Sequence, residues 1–116
     1  MTVASIGFNG FPRRMEDKAE WLINREEKYS RVIHAEMNAI LNAREPLAGY
    51  VCYTWPTWSC QRCATHLIQA GISQFVGVED TELDLYKRTA VDHNRAIEFF
   101  ADAGVKVLLY TPEDLA

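Results

Sequence analysis

YVCYTWPTWSCQRCATHLIQAGISQFVGV, residues 50–78, is the stretch that decides the fold. Its character changes three times. "YVCYT" (50–54) is short, rich in strand-forming residues, and reads as a β-strand. "WPTWS" (55–59) is a loop punctuated by Pro56. Ser59 is a suitable N-cap for a helix over Cys60–Ala70, and Gly71 is suited to close it. "SQFVGV" (73–78) returns to strand composition. A strand, a helix and a second strand in one sheet form a right-handed crossover.

The same alternation continues outward. "TELDLYKRTAVDHNRAIEFFADAG" (81–104) predicts a long amphipathic helix, with Tyr86, Ala90, Ile97 and Phe100 on one face and Gly104 at its end. "VKVLLY" (105–110) follows as a strand. Toward the N-terminus, Ile33, Met37, Ile40, Leu41 and Arg44 fall at helical spacing from Val32 on, and Pro46 and Gly49 stop the pattern. "NGFPRRMEDKAE" (9–20) is a charged, turn-rich loop. "TVASIGF" (2–8) reads as a β-branched strand, at an edge or without a neighbour, and no helix precedes it. Strands alternating with helices predict an α/β fold with a four-stranded sheet and helices on its faces.

Size and charge narrow the function. A chain of 116 residues fits one domain, residues 1–116. A net charge of −4 and a pI near 5.3 argue against a broad basic face for long nucleic acid. They leave room for a small anionic ligand, which two or three local cations can hold. There is no apolar run approaching the roughly 18 residues of a membrane span. "MTVASIGFNGF" lacks the pattern of a secretory signal. Three cysteines make an odd number. With no export signal, this favours reduced thiols and a cytoplasmic setting.

Cys60 and Cys63, at i and i+3, share a helix face in a first turn, where free N–H groups stabilise thiolates. A redox dithiol has the same requirements, so the pair alone leaves both readings open. His34 and Glu36 stand at the start of another helix. Taken singly, they are a satisfied polar residue and a partner for the helix dipole. Taken with the cysteines, they supply three ligands to a tetrahedral Zn2+ with one open position, plus a carboxylate to move a proton. Cys52 reads as a small hydrophobe in a strand. His66 should lie along its helix wall, away from metal, and His93 needs no role. Trp55 and Trp58 could wall a base pocket or fill a subunit interface. Trp21 is packed against them or buried alone.

The pattern H-x-E…P-C-x-x-C marks zinc nucleobase deaminases. "HAE" (34–36) and "SCQRC" (59–63) match it, with Ser59 in place of the proline. "GFNGFPRR" (7–14), "REEKYSRVIHAEMNAILNA" (25–43) and "CATHLIQAGI" (63–72) resemble segments of the deoxycytidylate deaminases. The resemblance covers residues 5–78, and the remainder only in layout. It implies a three-layer α-β-α fold with a mixed central sheet, lacking that family's N-terminal helix and first strand. Pro56 and the two neighbouring tryptophans are expected to hold the loop that the family's proline would stiffen.

The resemblance also implies roles. His34, Cys60 and Cys63 would hold Zn2+, and Glu36 would be the proton shuttle. Asn9 would contact the deoxyribose, the Ala35 N–H the pyrimidine O2, and the Trp58–Ser59 carbonyls the departing amine. Hydroxide on the zinc would attack C4 of deoxycytidylate (dCMP), giving deoxyuridylate and ammonia, in pyrimidine nucleotide metabolism. Arg13 and Arg14 are candidates for the 5′-phosphate. Arg25, Lys28 and Tyr29 are candidates for nucleotide or subunit contacts, including the effectors dCTP and dTTP. Arg88 and Arg95 are weaker candidates. A homo-oligomer, hexamer or dimer, is implied. The rival readings are another zinc deaminase, acting on cytidine, a guanine-type base or tRNA adenosine, and a zinc-retaining nucleotide-binding protein without turnover.

Overall fold

The structure, a computed structural model, describes residues 2–56 and 58–115, apart from the side chains of Leu85 and Tyr86. Tyr86, expected on the apolar face of the long helix, therefore lies outside the described side chains. Two compact units divide the chain between Arg44 and Glu45.

The first unit contains three short helices: α1 (Ala19–Ile23), α2 (Arg25–Arg31) and α3 (Ala35–Asn42). Asn24 starts α2 by accepting the Glu27 N–H at 3.1 Å, which satisfies one of the orphan donors of a first turn. Trp21 is half-buried beside Phe11, with the cations of Lys18 and Arg31 at 4.5 and 4.0 Å from its ring centre. These ring contacts all lie within the first unit.

The strand expected over residues 2–8 does not form. One antiparallel bridge, Gly10 with Ile33, is the nearest approach to pairing in this unit. The physical reason lies in the neighbours of the segment. Ser5 Oγ donates to the Ala39 carbonyl at 2.7 Å, and Asn38 Nδ2 donates to the Phe8 carbonyl at 2.6 Å. Gly7 lies so close to α3 that a Cβ there would overlap the Ala35 carbonyl and the Ala39 nitrogen. The segment lies along a helix, and its β propensity is overridden by those ties.

The second unit runs β1 (Val51–Tyr53), α4 (Gln61–Ala70), β2 (Gln74–Val78), α5 (Asp84–Asp102), β3 (Lys106–Tyr110) and α6 (Pro112–Leu115). Each strand-to-strand connection passes through a helix, so the pairs are parallel. The order is β1-β2-β3, with Cys52 opposite Phe75 and Phe75 opposite Val107. The α/β class is as expected. Among the described residues the sheet has three parallel strands, where a mixed, four-stranded one was expected.

Two crossovers of one hand, stepping the same way across the sheet, place both helices on one face. Accordingly α4 and α5 pack on each other. Phe75 and Phe100 have no exposed surface and stack at 4.9 Å, joining β2 to α5. Burying each ring stabilises the unit by about 1.5–3 kcal/mol. Ala64 and Leu67 of α4 and Ala96 of α5 are buried. Gly71 ends α4 at φ +91°, a left-handed conformation that glycine adopts without steric cost.

Candidate metal and nucleotide site

In the first unit, α3 begins at the N-cap His34, whose backbone is extended at ψ 154° and whose side chain caps nothing. The imidazole is exposed. Capping is instead supplied from the loop after residue 8: Asn9 Oδ1 accepts the Ala35 N–H at 2.7 Å. Glu36 follows in the first turn, half-buried. Two groups expected on the substrate, the Asn9 side chain and the Ala35 N–H, are thereby bonded to each other.

In the second unit, α4 begins at the N-cap Cys60, not at Ser59 as the sequence suggested. Cys60 Sγ accepts the Cys63 N–H at 3.4 Å, a long bond suited to a large sulfur acceptor. Ser59 sits one position earlier, almost fully buried, and its hydroxyl donates to the Cys60 carbonyl. Cys63 is buried. The Gln61 N–H donates to Asp92 Oδ1 of α5 at 3.2 Å.

The two helices share one device. In each, the residue at the N-cap is a metal-ligand candidate, and the following N–H is satisfied by an Asx oxygen from another element. These oxygens satisfy first-turn N–H groups that have no acceptor within the helix, and in α4 the Cys60 sulfur takes the Cys63 N–H as well.

Beside Cys60, Trp58 is 5% exposed and meets the His93 ring edge-on at 5.5 Å. Burial pushes the His93 imidazole below its usual value, opposed by the carboxylate of Asp92 and by Cys60. Asp92 and His93 were assigned no role in the sequence. The signal was present, because residue 93 lies at helical spacing from Ala90, Ile97 and Phe100, on the apolar face. Trp55 behaves differently from Trp58 and is 79% exposed. Of the two tryptophans expected to stiffen the loop, Trp58 is the one packed inside. His66 hydrogen-bonds along its own helix, Nδ1 lying 2.8 Å from the Arg62 carbonyl, as expected of a residue on the helix wall.

The basic residues separate by place. Arg13 lines an open cleft of about 690 Å³ together with Asn9, Phe8, Phe11 and Ile33, and its guanidinium donates to Asn42 Oδ1 at 2.7 Å. Arg14 is exposed, with φ +71°, and is outside the residues lining that cleft. Arg25 covers the Tyr29 ring at 5.0 Å on α2, where Lys28 is also exposed.

Comparison with known proteins agrees with this chemistry. The model of the cytidine and deoxycytidylate deaminase zinc-binding region matches residues 3–79. An uncharacterized deaminase from the luxG 3′ region of Aliivibrio fischeri is 41% identical over 106 residues, covering 90% of this chain and 69% of its own length. The deoxycytidylate deaminase of Mus musculus is 33% identical over 117 residues, covering 96% and 62%. A probable deoxycytidylate deaminase of Drosophila melanogaster is 38% identical over 93 residues, covering 71% and 45%. The chain thus spans between 45% and 69% of the lengths of these relatives. It belongs to the zinc-binding cytidine and deoxycytidylate deaminase family. The metal of that family region is Zn2+, and one imidazole with two thiols is a donor set that suits this ion.

Proposed function

We propose that the chain, acting as one domain over residues 1–116, hydrolyses deoxycytidylate to deoxyuridylate and ammonia. The observation that carries this reading is the placement of the ligand candidates. His34 with Glu36, and Cys60 with Cys63, each occupy the N-terminal turn of a helix. His34, Cys60 and Cys63 are the residues that would hold Zn2+. When bound, Zn2+ lowers the pKa of a coordinated water toward neutrality.

Glu36 then acts twice. Its carboxylate takes a proton from the attacking water and delivers it to N3 of the cytosine, and later it carries a proton to the departing amine. The C4–N bond breaks, C4 becomes a carbonyl, and the nitrogen leaves as ammonia. The Ala35 N–H binds O2 of the base. Asn9 Oδ1 must release that N–H first, which frees the Asn9 side chain to meet the deoxyribose. Carbonyls of the Trp58–Ser59 turn accept hydrogen bonds from the departing amine.

Arg13 is the proposed phosphate contact, supported by its place beside Asn9 in one cleft. Arg14 is its neighbour at the rim. Arg25, Lys28 and Tyr29 are assigned to effector or subunit contacts, with dCTP and dTTP as effectors and a homo-oligomer as the assembly. Thiolate ligands fit a reducing, cytoplasmic setting.

The relatives named deoxycytidylate deaminase support this substrate over others. The test is the rate for dCMP against deoxycytidine with zinc bound. Preference for the phosphate ester supports the reading. Equal rates contradict phosphate recognition, and zinc binding without ammonia release points to a nucleotide-binding protein without turnover.

A further inference from the structure

Two consecutive residues of α5 grip the chain on either side of Ser59 and Cys60. His93 packs its ring against Trp58, and Asp92 accepts the Gln61 N–H. The helix that carries them spans 19 residues and is fastened to the sheet by Phe100 stacked on Phe75. The Gln61 N–H is in the first turn, where no intrahelical acceptor exists. Asp92 supplies that acceptor from α5, 31 residues away in sequence.

We infer that Asp92 is a positioning residue for zinc. Its bond to the Gln61 N–H, together with the Trp58–His93 contact, holds the first turn of α4 so that Cys60 Sγ presents itself to the metal. The inference rests on the proposed ligation of zinc by Cys60. Groups that orient a metal ligand characteristically change metal affinity or activity by about 10- to 100-fold when removed. A residue that only stabilised the helix would lower the melting temperature and leave the metal's environment alone.

Two variants break the bond from opposite sides. Asp92→Ala removes the acceptor. Gln61→Pro removes the donor and leaves no unsatisfied N–H. Proline is favoured at the first helical position, and the extended Cys60 backbone, φ −78° and ψ 164°, is what a residue before proline requires. Gln61→Pro therefore keeps the test open should Asp92→Ala fail to fold. Asp92→Asn keeps an acceptor oxygen and serves as the conservative rescue.

The experiment measures Zn2+ affinity by competition with a chromophoric chelator, and the thiolate-to-metal absorption of the Co2+-substituted protein. The expected result is zinc binding weakened about tenfold or more in Asp92→Ala and in Gln61→Pro, with a shifted cobalt band. Asp92→Asn should stay within about threefold of the parent, and Asp92→Ala should add nothing in the Gln61→Pro background. Parental affinity and an unchanged cobalt spectrum in either single variant would overturn the inference. A Cys60→Ser variant that binds zinc as tightly as the parent would instead show that the ligand assignment beneath it is wrong.

Discussion

Asn9 Oδ1 holds the N–H of Ala35 at 2.7 Å, capping α3 from outside the helix. The bond joins a loop residue to the peptide that follows His34. Asn9 thus supports the helix that presents His34 and Glu36. Asn9→Ala should destabilise the chain by about 1 kcal/mol, the usual cost of losing such a cap. Asn9→Asp retains the acceptor and should recover that loss. Urea denaturation of the two variants measures both effects.

Glu36→Ala should lower turnover by about 100- to 10,000-fold, the range for losing a positioned proton carrier. Zinc content should remain near that of the parent, because the proposed ligands are His34, Cys60 and Cys63. Metal analysis alongside an ammonia assay separates the two. Loss of zinc together with activity would instead make Glu36 a structural or ligating residue.

Gly7→Ala should cost about 1–3 kcal/mol, since its Cβ would run into the backbone of α3. Gly10→Ala is the control. Nothing lies within 4 Å of a Cβ at that position, so stability should change little. Thermal melts of the pair test whether residues 2–8 truly rest on α3.

His93 should contribute a pH dependence whose sign follows from its burial. Burial lowers its folded pKa below the ordinary value of 6.5. The unfolded chain therefore binds the proton more readily than the folded one, and stability rises with pH in the window between the two pKa values. Stability should be full above the unfolded pKa and fall as the pH drops through it toward the folded pKa. His93→Phe keeps a ring against Trp58 and should remove that step. Melting temperatures from pH 8 to 5, compared between parent and variant with a chelator present, report it.

Most of the second unit was legible because period and punctuation agreed: Gly71 and Gly104 ended helices where the apolar spacing also ended. The starting point of α4 was missed by one residue. Ser59 has the better general capping preference, but Cys60 takes the position because its sulfur accepts the Cys63 N–H. Residues 2–8 carried a strand's composition, yet their partners lie on α3 about 30 residues away, and composition does not encode such ties. The ligand candidates were legible as residue types at fixed spacing. Asp92 and His93 were not, because their importance depends on which helix α5 packs against. The helical spacing placed His93 on the apolar face, but the partners of both residues, Trp58 and the Gln61 N–H, are a tertiary fact.

The most direct test of the central claim is kcat/KM for dCMP against deoxycytidine, measured on the zinc-loaded chain. A charge-assisted hydrogen bond contributes about 1.5–3 kcal/mol, and each 1.4 kcal/mol is about a tenfold change, so one arginine–phosphate contact predicts a preference of about 10- to 100-fold for dCMP. The expected result is that preference, with ammonia released in step with deoxyuridylate. Equal values for the two substrates, or zinc bound with no ammonia from either, would contradict it.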